Sequence, residues 1–230
     1  METPTTDIAA HEAAAAERWR ELEAERLPRI IPLMDARRRK IDAKHKPRLM
    51  NIIGSPRSIS AKIEQLWALA DELTAELKPF AACRKGCSHC CHTSVILPQQ
   101  EAELIGKKIG RKPKQLTNRE YRREKRELLS GYGSPCPFLK NDACSIYAAR
   151  PLACRQQLNF DKDALLCELT VVSKVPYLDA RAYNEALGMM TAPHRDKFDT
   201  VDGETTLRRE LLEPPVTGDI REFFPQGAQR

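Results

Sequence analysis

Eight cysteines constrain this 230-residue chain more than any other feature, because all of them lie between positions 83 and 167. The stretch 1–10 carries two acidic residues and no apolar run, so we expect no export signal and a cytoplasmic protein. Cytosolic thiols stay reduced, and metal binding is therefore the leading explanation for them. The candidate metal ligands are Cys83, Cys87, Cys90, Cys91, Cys136, Cys144, Cys154 and Cys167.

The first four cysteines are closely spaced, in the pattern C-x3-C-x2-C-C that starts at Cys83. Zinc–sulfur bonds of about 2.3 Å in a tetrahedron put the sulfurs about 3.8 Å apart. Gaps of two and three residues let one tight turn bring several sulfurs together, and Gly86 gives that turn backbone freedom. Neighbouring side chains diverge in helix and strand alike, so Cys90 and Cys91 are expected to serve different ligand positions or two metals.

The other four cysteines are more widely spaced. Cys136 opens the sequence C-P-F-L, Cys144 and Cys154 belong to the pattern C-x-I-Y-x2-R-P-x2-C-R, and Cys167 follows further along the chain. Eight thiolates furnish two four-sulfur sites, or one such site with additional coordination. Nearby positive side chains favour the thiolate form that a metal requires; these are Arg84, Lys85, His89 and Arg155.

Together these motifs resemble the YkgJ-type cysteine-cluster family of zinc- or iron-chelating proteins. The resemblance covers about residues 83–155 and seven of the eight cysteines, with Cys167 as a candidate eighth ligand. It implies metal binding and a cytoplasmic location. More distantly, the cysteine motif is similar to that of flagellin lysine N-methylase, which implies an iron–sulfur cluster linked to methyl transfer.

The residues leave zinc and iron as equal alternatives. Zinc suits sites of four thiolates, whereas an iron–sulfur cluster is satisfied by the same four ligands. The Cys136-Pro137 pair is similar to the proline that follows a cluster cysteine in bacterial ferredoxins. Because sulfur is plentiful, His89 and His92 are expected to support the ligands or to lie on the surface rather than bind the metal.

The apolar pattern predicts a mainly α fold with irregular, metal-organised cysteine loops and one short β-hairpin near residues 140–143. An apolar residue recurs every three or four positions from Ile59 to Leu77, which predicts a helix that covers the metal-bearing core. Pro28 and Pro32 are expected to interrupt an N-terminal helical region. Three segments are expected: a helical, basic N-terminal extension and linker (1–56), a cysteine-cluster domain (57–175), and a helix with a partly ordered C-terminal tail (176–230).

Basic charge is concentrated in residues 29–48 and 107–126, which hold eight and ten Lys or Arg against two acidic residues each. Such clusters attract phosphates and acidic surfaces, so nucleic acid or an acidic protein is a candidate partner. No apolar run approaches the about 20 residues of a membrane helix, and no membrane partner is expected.

Three functions of different classes therefore fit the sequence. The first is a metal-binding protein whose zinc, iron or iron–sulfur cluster is held by both cysteine motifs. The second is an iron–sulfur enzyme of methyl or electron transfer, and the third is a zinc-stapled module that binds nucleic acid or an acidic partner. The sequence points to no catalytic residue and does not decide whether the chain is an enzyme.

Overall fold

Helices dominate the protein, which confirms the predicted mainly α fold. The structure is a computed structural model that describes residues 8–84, 86–117, 133–168, 175–176, 178–201, 204–211 and 215–226, with only the backbone described for 194–201 and 204–211. Its α-helices are α1 (Ile8–Glu21), α2 (Leu27–Gly54), α3 (Ile59–Leu77), α4 (Gln99–Ile109), α5 (Leu152–Arg155), α6 (Arg181–Thr191) and α7 (Ile220–Phe223). Short 3₁₀ turns cover Lys78–Phe80, His89–His92, Tyr147–Ala149 and Leu165–Cys167.

The strands pair two by two and form no larger sheet among the described residues. They are β1 (Ile96–Pro98), β2 (Leu139–Lys140), β3 (Ala143–Cys144), β4 (His194–Val201), β5 (Glu204–Leu211) and β6 (Thr217–Asp219). The antiparallel pairs are β1 with β6, β2 with β3 and β4 with β5.

Helix α3 is the centre of the core, as its apolar stripe predicts. The Ser58 hydroxyl caps its first turn by accepting the Ala61 N–H at 3.3 Å, and Pro79 follows its last residue. Helices α2, α4, α5 and α6 all pack against it. Each stripe residue beyond the exposed Ile59 is at most 1% exposed, and the burial of each leucine or isoleucine contributes about 1.5–3 kcal/mol. The same core includes Cys136, with Cys83, Cys91 and Cys154 packed against it.

The N-terminal helical region continues through its prolines. A π-helical turn (Leu22–Arg26) joins α1 to α2, and the Leu27 N–H donates to the Leu22 carbonyl, five residues back. Pro28 lies in the first turn of α2, where its missing N–H costs little, and the wide turn before it makes room for the proline ring. Pro28 therefore coincides with an interruption of α geometry, whereas the expected break at Pro32 is wrong because α2 runs on through it.

The predicted short hairpin is present as β2 and β3. Leu139 faces Cys144 and Lys140 faces Ala143, so the two-residue loop is Asn141-Asp142. Both loop residues have positive φ, 49° and 55°, as a tight hairpin turn requires, and Asn and Asp tolerate that conformation best after glycine. The hairpin thereby brings Cys144 back towards the strand that follows Cys136.

The C-terminal segment takes part in two of the strand pairings. Strands β4 and β5 form a long hairpin that the sequence did not predict, and β6 pairs with β1 so that Asp219 faces Ile96. Phe223 and Phe224 are both fully buried. Residues 217–224 are thus part of the core, and residues of all three predicted segments share it. Within the described residues, no helix is long and apolar enough to span a membrane.

Candidate metal centre

The first cysteine motif follows α3 on a loop that ends in a 3₁₀ turn. Gly86 has a φ of +87°, which confirms the predicted need for a glycine before Cys87. The Cys87 N–H donates to the Arg84 carbonyl at 3.2 Å, and the Cys91 N–H donates to the Ser88 carbonyl at 2.8 Å. Two successive tight turns therefore present the four cysteines.

Cys90 and Cys91 differ in exposure and act on each other electrostatically. Cys90 is exposed and Cys91 is half-buried. Their thiols nevertheless share a hydrogen bond, which lowers the pKa of Cys90 and raises the pKa of Cys91. Both residues lie in the 3₁₀ turn His89–His92, which is tighter than an α-helix.

The second motif meets the first directly through the backbone. The Cys136 N–H donates to the Cys91 carbonyl at 2.7 Å, although 45 residues separate the two cysteines. Cys136 is buried, Cys144 lies in β3 and Cys154 lies in α5. Arg221 is the second residue of α7. It donates to the Cys91 carbonyl at 3.3 Å and to the Thr93 carbonyl at 3.1 Å, and so ties the C-terminal segment to the first cysteine motif.

Cysteine thiols of the two motifs shift one another's pKa. The pKa of Cys91 is raised by its hydrogen bond to Cys90 and by burial, and then by Cys136 and Cys154. Burial raises the pKa of Cys154 well above its usual value, and Cys90, Cys136 and Cys144 raise it further. This coupling agrees with the direct backbone contact between Cys136 and Cys91, which joins the two motifs.

A second group of thiols forms around Cys167. Burial raises the pKa of Cys167 to about 12, with further increases from Cys83 and Cys87. Cys90 also raises the pKa of Cys83 and of Cys167, as it does that of Cys154. By these effects seven of the eight free thiols fall into two groups, Cys83, Cys87 and Cys167 in one and Cys91, Cys136, Cys144 and Cys154 in the other, while Cys90 acts on members of both.

The thiols of these two groups do not form complete coordination shells in the described part of the chain. In the part of the chain that the structure describes, no three Cys, His, Asp or Glu side chains stand as close together as the ligands of one ion. His89 and His92 lie in the same turn as Cys90, and burial lowers the pKa of His92. The assignment of particular cysteines as ligands therefore stays a prediction.

Asn159 links Cys83 to Cys167, the two ends of the Cys83 group, and the sequence analysis did not single it out. Its backbone N–H donates to the Cys83 sulfur at 3.3 Å, and its Nδ2 donates to the Cys167 sulfur at 3.2 Å. Asn159 is 3% exposed and lies 76 residues from Cys83 along the chain. No local motif surrounds it, so only the folded chain reveals the contact.

Helix α1 holds the loop that carries Cys167. Arg18 forms ion pairs with Asp161 at 3.0 Å and Asp163 at 2.8 Å, and Asp161 is completely buried. Leu166, one residue before Cys167, packs with the α1 residue Ala15 and with Leu22 in a small second core. The two aspartates are therefore structural partners of α1.

A buried carboxylate supports the helix that carries Cys154. Glu101 is 1% exposed and accepts the Trp67 Nε1–H at 2.7 Å and the Leu152 N–H at 2.8 Å. Arg155 stacks over the Trp67 ring at 4.5 Å and pairs with Asp71. Both contacts fix α5 against α3 and α4.

The positive charges near the thiols are not all those that the sequence predicts. Arg155 is engaged by Asp71 and Trp67. Among the described residues, Arg150 lowers the pKa of Cys144 and Arg221 lowers that of Cys136, each against a larger upward effect of burial. Lys85 lies outside the described residues.

Much of the described basic charge is bound within the protein. In α2, Arg37 donates to the Glu76 carbonyl, and Lys44 and Arg48 both bind Glu72. In the second basic segment, Lys108 pairs with Glu64. Residues 118–126, which hold five of the ten basic residues of that segment, lie outside the described part of the chain.

Residues 82–169 match a family model named CxxCxxCC, with the description "Putative zinc- or iron-chelating domain". The predicted resemblance is confirmed. The match covers somewhat more than a third of the chain, and it includes all eight cysteines, among them Cys167. No curated protein and no solved structure matches this chain. The cysteine-cluster domain thus coincides with the region where both groups of thiols lie.

Proposed function

We propose that this chain binds zinc or iron through thiolates drawn from both cysteine motifs. The observation that carries the proposal is the convergence of the motifs, with the Cys136 N–H bonded to the Cys91 carbonyl and with Cys136 and Cys154 both acting on the Cys91 thiol. Thiolate is a soft ligand that selects zinc, copper(I) or iron–sulfur clusters over hard cations such as magnesium and calcium. The donor set therefore fits the chelating domain that residues 82–169 resemble.

The proposed ligands are all eight cysteines, divided between two neighbouring sites. Cys83, Cys87 and Cys167 would serve one site and Cys91, Cys136, Cys144 and Cys154 the other, with Cys90 acting on members of both. A bound zinc ion would fix the loops as a structural crosslink, and an iron–sulfur cluster would add the capacity to carry an electron. The cytoplasm is the proposed compartment, because thiols remain reduced and available there.

The chain's own contribution to binding is a set of buried thiols held in place by the core. Burial raises the pKa of Cys136 to about 11 and the pKa of Cys167 to about 12, so both carry a proton at neutral pH until a cation replaces it. Binding then releases protons, and the ion replaces mutual repulsion between thiolates with attraction. Folding of the loops and metal binding are coupled for this reason.

Anaerobic purification followed by elemental analysis, assay of acid-labile sulfide and a visible spectrum tests the proposal and separates its two metals. Stoichiometric zinc in a colourless protein supports a zinc site and removes the iron–sulfur enzyme. Iron with acid-labile sulfide in a brown protein supports a cluster and removes the zinc-stapled module. A folded protein with neither metal contradicts the proposal.

A further inference from the structure

Asn159 is the polar residue most closely bound to the cysteine sulfurs. Besides its two bonds to sulfur, its Oδ1 accepts the Asp161 N–H at 2.9 Å and its Nδ2 donates to the Asp163 carbonyl at 2.9 Å. Its own carbonyl accepts the Ala82 N–H at 2.8 Å, next to Cys83. Every polar group of this buried residue is thus occupied, and its orientation is fixed from several directions.

The two bonds to sulfur are most favourable when the sulfurs are thiolates. A neutral thiol is a weak acceptor, whereas a hydrogen bond to an ionised acceptor is about twice as strong as a neutral one. These bonds therefore strengthen when a metal ion displaces the thiol proton, and the fixed amide then holds the sulfur in its ligand position.

The loop around Asn159 is itself held rigidly. Arg18 of α1 bonds to Asp161 and Asp163, the two residues that also contact the Asn159 side chain. The Leu165 N–H donates to Asp163 Oδ1 at 3.0 Å and starts the turn that ends at Cys167. The amide group is therefore aimed at the Cys167 sulfur by the surrounding fold and not by a single contact.

We infer that Asn159 is a positioning residue of the metal centre, which holds the Cys167 sulfur beside the Cys83 sulfur through its two hydrogen bonds. The inference rests on the proposed function and adds a residue to it. It also gives Cys167, which stands apart from both spaced motifs, a specific partner in the first motif. Outer hydrogen bonds of this kind typically account for 10- to 100-fold in metal affinity.

The test is a titration of the full-length, metal-free, reduced chain with Co²⁺, followed through its sulfur-to-cobalt charge-transfer absorption. Asn159→Asp keeps the shape and the Oδ1 acceptor but replaces the donor with a carboxylate oxygen. We expect it to bind Co²⁺ about 10- to 100-fold more weakly, with a shifted charge-transfer band. Asn159→Ala removes the same donor without adding charge and is titrated alongside, so that a folding defect in one variant does not end the test.

Two further variants separate positioning from a general effect on folding. Asp161→Asn loosens the same loop without touching a sulfur, and we expect it to lower stability while the band position stays unchanged. In a Cys167→Ser background, Asn159→Asp should have little further effect, because its target sulfur is gone. Equal losses with and without Cys167, or an unchanged affinity in both Asn159 variants, would overturn the inference and leave the proposed function standing. A wild-type chain that binds no Co²⁺ through sulfur would overturn both.

Discussion

At the scale of single residues, burial governs the behaviour of the cysteines. It raises the pKa of Cys83, Cys136 and Cys144, so each of these thiols needs a cation to displace its proton. The stability of the loops is therefore tied to whatever ion they hold. A cysteine in the middle of the first motif should reveal this coupling most clearly.

Cys87→Ser tests that coupling. Because a hydroxyl is a much poorer ligand for zinc or iron than a thiolate, we expect lower metal content and a lower melting temperature together. Metal per chain is measured by elemental analysis and unfolding by circular dichroism. Ser88→Ala is the matched control, since Ser88 is the next residue and contacts the exposed Asp142 side chain rather than a sulfur. Unchanged metal content in Cys87→Ser would contradict the ligand assignment.

Glu72 gives a prediction for the pH dependence of stability. It accepts hydrogen bonds from Arg48 at 2.8 Å, Lys44 at 2.7 Å and His45 at 3.1 Å, and these contacts hold its pKa well below the usual value. A depressed pKa in the folded state adds stability that is complete above the unfolded value of about 4.3 and is lost as the pH falls below it.

The melting temperature of the metal-free protein should therefore fall more steeply between about pH 5 and pH 3 in the wild type than in Glu72→Gln. Metal-free protein is used so that the loss of metal in acid does not contribute. Glu76→Gln, one turn along α3, should keep the wild-type slope because Glu76 is exposed. Parallel curves for the wild type and Glu72→Gln would show that the ion pairs add no pH-dependent stability.

At the scale of secondary structure, several contacts bind helix α1 to the Cys167 loop, and the most buried ion pair among them joins Arg18 to Asp161. Arg18 is 13% exposed and its partner Asp161 is fully buried. Arg18→Met leaves that carboxylate buried without a cation, which costs about 3–5 kcal/mol of unfolding free energy. Urea denaturation measures the loss, and hydrogen exchange should rise in residues 8–21.

Arg20→Met is the control on the same helix. Arg20 is 72% exposed and pairs with Glu17 on the surface, so its loss should change the unfolding free energy by less than about 1 kcal/mol. If both variants lost the same small amount, α1 would not depend on the contact between Arg18 and Asp161.

The elements that could be predicted are those whose cause is local. The apolar stripe of α3 can be recognised from the regular spacing of its apolar residues, and the hairpin turn from the adjacent Asn141 and Asp142. Arg18, Glu101 and Asn159 could not be assigned in the same way. Their partners lie 143, 51 and 76 residues away, so their roles exist only once the chain has folded.

The candidate site could likewise be predicted from the sequence only in its local features. The cysteines could be recognised from their spacing because metal ligands recur at short intervals. Their distribution into two groups could not, since it depends on Cys136 docking against Cys91 and on Cys167 reaching Cys83 through Asn159. The packing of residues 217–224 into the core was not predicted, because the adjacent Phe223 and Phe224 form no periodic apolar pattern.

At the scale of the whole molecule, the C-terminal segment closes the core around the cysteine motifs. Phe224 is fully buried and meets the Phe138 ring edge-on at 5.1 Å, two residues from Cys136. Phe224→Ala should lower the unfolding free energy by about 3–5 kcal/mol, measured by urea denaturation. Met50→Ala is the control, because Met50 is 65% exposed and its truncation should cost less than about 0.5 kcal/mol. A similarly small cost at Phe224 would mean that the segment does not contribute to the core.

X-ray absorption spectroscopy of freshly isolated protein, kept free of oxygen, tests the central claim most directly because it identifies the atoms that touch the metal. We predict a first coordination shell of sulfur, at about 2.3 Å if the metal is zinc. A shell of nitrogen and oxygen at about 2.0–2.2 Å, or a correctly folded protein without metal, would contradict it.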